Sequence, residues 1–399
     1  MSTSTAPAAL LAPTTGPSRT LLRTDVQGLR ALAVSLVFVY HLWPGRIPGG
    51  YIGVDVFFVI SGFLITSHLL AHPPRSLPDL SAFWSRRARR LLPASLLVLA
   101  VTLVASRLVA PETEWAGTAR QAGGAAVYVV NWLLAADSVD YLASENAPSP
   151  VQHFWSLSVE EQFYFVWPVL ILGLVAWAVR RQWRPQTVIR VGLGAVVLVS
   201  LAYSVYATAV SPDRAYFVTP TRAWEFGVGG LLAAVLPLVG GTDRGGPVPL
   251  PRPVRSGMAW LGLAAIAAAA VGYSAATPFP GWQAALPVLG TAAVIAAMPA
   301  GRARGVDRML AQPWVQWLGD RSYSIYLWHW PLIVLMPALL GRDLGIFDEV
   351  NVVLATLLLA TLTKRFVEDP FRTAVWARPP RRVFAAAAAG MAVVLLLAL

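Results

Sequence analysis

The chain has 399 residues, of which 56% are hydrophobic and 13% are charged. A soluble domain carries about 25% charged residues, so the composition excludes an ordinary water-soluble protein. The chain contains no cysteine, which excludes disulfide bonds, thiolate metal sites and cysteine nucleophiles. The formal charge is +11, but the basic residues are dispersed between apolar segments. We therefore expect no nucleic-acid binding.

Residues 1–20 are rich in Ser, Thr, Ala and Pro, which predicts a disordered tail. Apolar segments long enough to cross a bilayer then recur, and each must be helical because the bilayer core offers the backbone no hydrogen-bond partner. The predicted spans are 26–44, 51–71, 90–110, 157–180, 188–210, 221–239, 257–276, 282–299, 322–340, 350–367 and 383–399. We predict an all-α polytopic integral membrane protein with about 11 transmembrane helices. Its membrane domain covers 21–375, and an extra helix covers 383–399.

One further apolar stretch, 120–136, is short and contains Gly123, Gly124 and Asn131. If the N-terminus is cytoplasmic and this stretch does not cross, the inner loops hold 24 of the 31 Lys and Arg residues, and the outer loops with their borders hold 6. Cytoplasmic loops collect Lys and Arg, so this distribution favours that topology. We predict that 120–136 is re-entrant or lies at the outer surface, and that the C-terminus is extracytoplasmic.

Arg30 and His41 lie on the first predicted span. They are about three helical turns apart, so their side chains project from roughly the same face, about 16 Å apart along the axis. Ionisable groups inside a span usually face a polar cavity, and imidazole exchanges protons readily near neutral pH. The alternative is that Arg30 reaches the cytoplasmic surface and His41 lies at the outer interface. Asp55, in the second span, either pairs with an imidazolium on the neighbouring helix or is a structural aspartate.

Three later motifs also carry polar groups at the borders of spans. FWSRRARRLLP, residues 83–93, is either a phosphate clamp or a charge cluster that stops translocation. HFWSLSVEEQFYFVWP, residues 153–168, has two carboxylates that bind an acceptor or take a proton, or that merely cap a helix. SYSIYLWHWPL, residues 322–332, combines an aromatic interface belt with a histidine. No metal site is expected, because His68 and His72 have no third ligand close in sequence.

In their order, over about residues 23–375, these motifs resemble the membrane acyltransferase-3 family, a bacterial group that O-acylates cell-surface glycans. The matching blocks are the Arg30/His41 pair, GVDVFFVISGFLIT, Arg87-x-x-Arg90 before LLP, WSLSVEEQFY, RAWEFGVGGLLA and SYSIYLWHWP. The resemblance implies a cytoplasmic acyl-CoA donor, usually acetyl-CoA, and a hydroxyl acceptor outside on a glycan, glycolipid or related molecule. It also implies that no cofactor is permanently bound, and that the protein is multi-pass in the cell membrane, among lipids.

The resemblance implies a role for each candidate residue. His41 would be the catalytic base or a transient acyl carrier, and we hypothesise that Asp55 and Glu160 tune it or handle the acceptor proton. The residues that would hold the CoA phosphates are Arg30, Arg86, Arg87 and Arg90. The substrate-binding candidates are Ser61, Trp155, Ser156, Tyr164, Tyr326 and His329. Ser61 lacks a G-x-S-x-G elbow, so it is not proposed as a nucleophile.

The C-terminal segment KRFVEDPFR, residues 364–372, is followed by one more span. It resembles the subgroup in which an added helix leads to an extracytoplasmic SGNH esterase-like domain. That domain would be a partner in a longer protein, and no second catalytic domain is inferred within these residues. The alternative function is a transporter or channel that moves an acyl group or a glycan, with the same intramembrane charges as its pathway.

Single-cysteine labelling tests the predicted topology, because the native chain has no cysteine. Cysteines introduced at Thr242 and Ala303 should react only with a reagent that reaches the cytoplasm, because both positions lie in loops predicted to be inside. Labelling of either position by an impermeant reagent added to intact cells would contradict the topology.

Overall fold

The computed structural model describes residues 23–74, 76–138, 148–236, 251–298, 305–374 and 379–399. Within these ranges the regular secondary structure is helical, without a β-strand. The predicted tail, 1–20, lies outside the described residues. The α-helices of the described ranges are α1 (Thr24–Leu42), α2 (Gly53–Ala71), α3 (Leu77–Val109), α4 (Glu112–Ala126), α5 (Val130–Asp137), α6 (Phe154–Arg180), α7 (Pro185–Val210), α8 (Pro212–Phe217), α9 (Ala223–Val235), α10 (Arg252–Gly272), α11 (Ala285–Ala297), α12 (Val306–Leu310), α13 (Pro313–Leu340), α14 (Ile346–Thr363), α15 (Asp369–Thr373) and α16 (Pro380–Leu397).

Within the described residues, each predicted span overlaps one of these helices, and the last residues of the spans 221–239 and 282–299 lie outside the described residues. In the part of the chain described, eight helical segments are long and apolar enough to cross a membrane, judged by length and composition. The remaining spans fall on α1, which carries charged groups, and on α9 and α11, which have only 13 residues each. The prediction of an all-α polytopic membrane protein is thus confirmed.

The stretch 120–136 does not form one continuous helix. Helices α4 and α5 meet at Tyr128, whose φ of 57° lies in the left-handed region. Gln162 on α6 donates to the Tyr128 carbonyl over 2.8 Å and to the Asn131 side-chain oxygen over 2.9 Å, and Asn131 donates to the Phe217 carbonyl over 3.1 Å. Irregular backbone is tolerated at membrane depth only where protein or water satisfies it, and these bonds do so. The location of the stretch 120–136, either re-entrant or at the outer surface, stays a prediction.

Glycines let α2 and α9 approach closely at the centre of the bundle. A Cβ atom added at Gly62 would overlap the Phe226 carbonyl oxygen, and one at Gly229 would overlap the Val59 carbonyl oxygen. Small residues at helix crossings allow such contacts where no hydrophobic force drives helices together in lipid. Helix α1 packs in turn against α2 and α13, so polar residues on these three helices can meet inside the bundle.

The variant Gly62→Ala tests the α2–α9 crossing. Its methyl group has no room against the Phe226 backbone, so the helices must separate, and overpacking of this kind costs about 1–3 kcal/mol. We expect a lower melting temperature in detergent than for the wild type. Gly173→Ala is the matched control, since nothing lies within 4 Å of a Cβ atom there. Equal melting temperatures for the two variants would contradict the close crossing.

Candidate active site

The first component of the site is a pair of histidines on α1 and α13. Nδ1 of His41 lies 2.9 Å from Nε2 of His329, and Nδ1 of His329 lies 2.6 Å from the Tyr326 carbonyl oxygen. A carbonyl can only accept, so Nδ1 of His329 carries the hydrogen. A neutral His329 then accepts at Nε2 from Nδ1–H of His41. This arrangement leaves the lone pair on Nε2 of His41 free to act as a base.

Aromatic residues surround His41 in a cavity of about 240 Å³, here called the histidine cavity. The ring of Trp330 lies 4.5 Å from the His41 ring, centroid to centroid. The lining includes Tyr40, His41, Tyr51, Gln152, His153, Trp155, Tyr216, Phe217, Tyr326 and Trp330. Concave sites with mostly apolar walls and a few convergent polar groups are typical of small-molecule binding.

The second component is a smaller cavity of about 90 Å³ lined by Arg30, Arg87 and Arg90, here called the arginine cavity. Arg87 stacks on the Tyr164 ring, with its guanidinium carbon 3.7 Å from the ring centre. Its Nε is buried and forms no hydrogen bond within the described residues. Arg30 donates to Gln27 over a long 3.4 Å. An unpartnered buried N–H group costs free energy, so the Nε–H of Arg87 is suited to a hydrogen-bonding ligand.

Glu160 on α6 also lines the arginine cavity, and it accepts hydrogen bonds from the hydroxyls of Ser61 and Tyr164. Ser156, Glu160 and Tyr164 are spaced by four residues, so they share one face of α6. That face presents a polar stripe to the cavity. The two cavities have Val54 and Tyr326 in common among their lining residues.

Asp55 belongs to a different cluster. It forms a buried ion pair with Arg222 over 3.1 Å, and Arg222 also binds Glu225 over 3.1 Å. Nε of Arg222 donates to the Tyr216 carbonyl over 3.1 Å, and the guanidinium lies 4.8 Å from the Tyr216 ring centre. The sequence suggested His41 as one partner of Asp55, but the structure pairs Asp55 with Arg222 and His41 with His329.

The structure therefore brings most of the predicted residues together in two groups. Around the arginine cavity are Arg30, Ser61, Arg87, Arg90, Ser156, Glu160, Tyr164 and Tyr326. Around the histidine cavity are His41, Trp155 and Tyr326, with His329 bonded to His41. Arg86 is exposed and is not among the residues that line the arginine cavity.

Sequence reasoning missed three buried residues near the site: His153, Arg222 and Glu225. Nε2 of His153 donates to the Leu327 carbonyl over 3.2 Å, which places the ring against α13. Arg222 and Glu225 stand in the block RAWEFGVGGLLA, which was noticed for its resemblance alone. Their spacing of three residues on a helix is the signal that indicates an ion pair.

Comparison with known proteins places the chain in a family. Residues 23–365 match the family model described as "Acyltransferase domain". This chain belongs to that acyltransferase family. The assignment supports the acyltransferase hypothesis over the transporter hypothesis. No solved structure matches the chain.

Three relatives illustrate the similarity. The chain is 34% identical over 359 residues to "Peptidoglycan O-acetyltransferase OatA" of Listeria monocytogenes, covering 87% of this chain and 55% of the relative. It is 34% identical over 363 residues to "Putative peptidoglycan O-acetyltransferase YrhL" of Bacillus subtilis, covering 90% and 56%. It is 32% identical over 358 residues to "O-acetyltransferase OatA" of Staphylococcus aureus, covering 87% and 57%. The chain thus spans little more than half the length of these relatives.

The ion cluster at Asp55 predicts a stability effect. Arg222→Met leaves two buried carboxylates without their cation, which costs about 3–5 kcal/mol. We expect a large fall in melting temperature, and partial recovery when Asp55→Asn and Glu225→Gln are added to remove the uncompensated charges. Arg342→Gln is the control, because that arginine pairs with Asp348 at an exposed position. A melting temperature for Arg222→Met equal to the control would contradict a structural role for the cluster.

Proposed function

We propose that this protein transfers an acetyl group from cytoplasmic acetyl-CoA to a hydroxyl of an extracytoplasmic cell-wall glycan. The observation that carries the proposal is the free Nε2 of His41 in a cavity distinct from the arginine cavity. One site suits a phosphorylated donor, and the other offers a base to a hydroxyl. The names of the relatives make peptidoglycan the first acceptor to test.

The donor would bind at the arginine cavity. Guanidinium groups grip phosphate oxygens bidentately, and Arg30, Arg87 and Arg90 line this cavity together. The buried Nε of Arg87 would gain a partner when a phosphate enters. Glu160 holds the hydroxyl hydrogens of Ser61 and Tyr164, so their oxygen lone pairs are available to amide N–H groups of the pantetheine arm.

His41 would act as the base through Nε2. It takes the proton of the acceptor hydroxyl while that oxygen attacks the thioester carbonyl carbon. The tetrahedral intermediate then collapses, the carbon–sulfur bond breaks, and the proton on Nε2 passes to the departing thiolate. One nitrogen thus accepts and returns one proton, and the products are the acetyl ester and CoA with a free thiol.

His329 would hold His41 in the tautomer that this cycle needs. Its Nε2 accepts from Nδ1–H of His41, and its own Nδ1 is tied to the Tyr326 carbonyl. When His41 is protonated at Nε2, the same hydrogen bond stabilises the imidazolium. His329 is therefore a positioning residue in the proposal, which differs from the substrate-binding role that the sequence suggested.

The proposed orientation follows the distribution of basic residues. Loops rich in Lys and Arg lie in the cytoplasm, which would place the arginine cavity toward the cytosolic CoA pool and His41 toward the outside. Arg30 and His41 are separated by about 16 Å along α1, so the pantetheine arm must extend between the helices to bring the thioester to His41. The protein would be a multi-pass protein of the cell membrane with an extracytoplasmic C-terminus.

Transfer of label from acetyl-CoA to peptidoglycan fragments tests this proposal. His41→Asn should lower the rate by about 10²–10⁴-fold, because it removes the general base. Thermal melting and CoA binding serve as controls for folding and for the donor site. Label transfer that survives His41→Asn would refute the catalytic role of this residue. If no acceptor is labelled but a substrate accumulates in proteoliposomes, the transporter hypothesis replaces the proposal.

A matched pair of variants tests the role of His329. The amide oxygen of His329→Gln can accept from Nδ1–H of His41, whereas the side chain of His329→Leu cannot. We expect His329→Gln to retain more activity than His329→Leu, with both above His41→Asn. Equal activities of the Gln and Leu variants would show that the hydrogen bond between the two rings does not support catalysis.

A further inference from the structure

If the donor binds at the arginine cavity, its acyl-bearing end must reach the separate histidine cavity to meet His41. The arginine cavity and the histidine cavity share Val54 of α2 and Tyr326 of α13 as lining residues. Both side chains are buried, with 6% of Val54 and 5% of Tyr326 exposed. These two residues therefore lie between the arginine cavity, which suits a donor, and His41, the base of the proposed reaction.

Tyr326 is held in place by hydrogen bonds to α6. Its hydroxyl lies 2.5 Å from Oγ of Ser156 and donates to the His153 carbonyl over 3.0 Å. Its ring centre lies 5.5 Å from that of His153 and 5.3 Å from that of His329. In this arrangement Tyr326 lines both cavities.

The Ser156 hydroxyl has an alternative acceptor that does not depend on Tyr326. When Tyr326 turns away, the Ser156 hydroxyl can donate instead to the His153 carbonyl, which lies 3.3 Å from its Oγ. The Tyr326 hydroxyl would lose its contacts with Ser156 and the His153 carbonyl but would meet the polar groups of an incoming pantetheine arm. Tyr326 is thus held between the cavities by hydrogen bonds that a substrate can replace. Such a residue fits a passage that opens only for its substrate.

We propose that Val54 and Tyr326 form a neck through which the acyl-bearing end of the donor passes, and that its width limits the size of the acyl group. The inference rests on the proposed function, since it concerns the route from the arginine cavity to His41. Protein interiors are close-packed, so each extra methylene group in the neck is felt. Discrimination of one methylene group by a hydrophobic site is about 10–200-fold.

Acyl-chain selectivity is the first test. Transfer of acetyl, propionyl and butyryl groups from their CoA thioesters is compared for the wild type and for Val54→Ala, which widens the neck. We expect the ratio of butyryl to acetyl transfer to rise by roughly tenfold or more. Val56→Ala is the matched control, because Val56 is a fully buried valine of the same helix that lines neither cavity. An identical ratio in the two variants would overturn the role of the neck in selectivity.

Narrowing the neck gives the opposite expectation. Val54→Phe should reduce acetyl transfer by at least tenfold, because the larger side chain fills the neck, and thermal melting serves as the control for folding. Full acetyl transfer by Val54→Phe would overturn the proposal.

A labelling measurement tests the neck without enzymatic activity. In sealed vesicles, a cysteine that replaces Gln152 of the histidine cavity should react with a membrane-impermeant thiol reagent from one face only. The additional change of both Val54 and Tyr326 to Ala should permit reaction from both faces. Reaction from both faces with the native neck would overturn the inference. A wild type that acylates no acceptor would refute the proposed function alone, and this labelling would still decide whether the neck exists.

Discussion

The requirement that charged side chains find partners inside an apolar helix bundle governs the structure described here. Arg222 meets this requirement within the protein: it binds Asp55 and Glu225 and donates to the Tyr216 carbonyl. Arg87 meets it only in part, because its guanidinium stacks on the Tyr164 ring but its buried Nε forms no hydrogen bond in the part of the chain described. A fully paired buried cation fixes helices to each other, whereas one with an unpartnered N–H group can still bind a ligand. Arginine therefore has two roles in this protein, and the burial of the side chain alone does not distinguish them.

The same requirement determines the tautomer of His41. The Tyr326 carbonyl in α13 takes the Nδ1 hydrogen of His329, which in turn makes Nε2 of His329 the acceptor for His41. In the described part of the chain, the direction of these hydrogen bonds leaves Nε2 of His41 available as a base, and His41 lines the histidine cavity. In the proposed function, His41 as the base, the arginine cavity as the donor site and the residues between them would together support acyl transfer between two compartments.

Much of this architecture is predictable from the sequence. The spans follow from long apolar runs, and the shared face of Arg30 and His41 follows from helical periodicity. The pairing of Asp55 with Arg222 was not predicted, because it joins residues 167 positions apart whose meeting depends on the close crossing of α2 and α9. The exposure of Arg86 beside Arg87 depends on how α3 is rotated against its neighbours, which a run of adjacent arginines does not reveal. Local patterns thus predicted the helices and pointed to residues that the structure brings together around two cavities, whereas the hydrogen-bond and ion-pair partners depend on packing.

The most direct test of the account is an experimental structure of the protein in a membrane mimetic with a non-hydrolysable acetyl-CoA analogue bound. The account predicts that the phosphates lie against Arg30, Arg87 and Arg90, that the arm passes between Val54 and Tyr326, and that the group in place of the acetyl thioester lies beside Nε2 of His41. An analogue bound outside the arginine cavity, or one whose acyl group stays on the arginine side of a closed Tyr326, would contradict it.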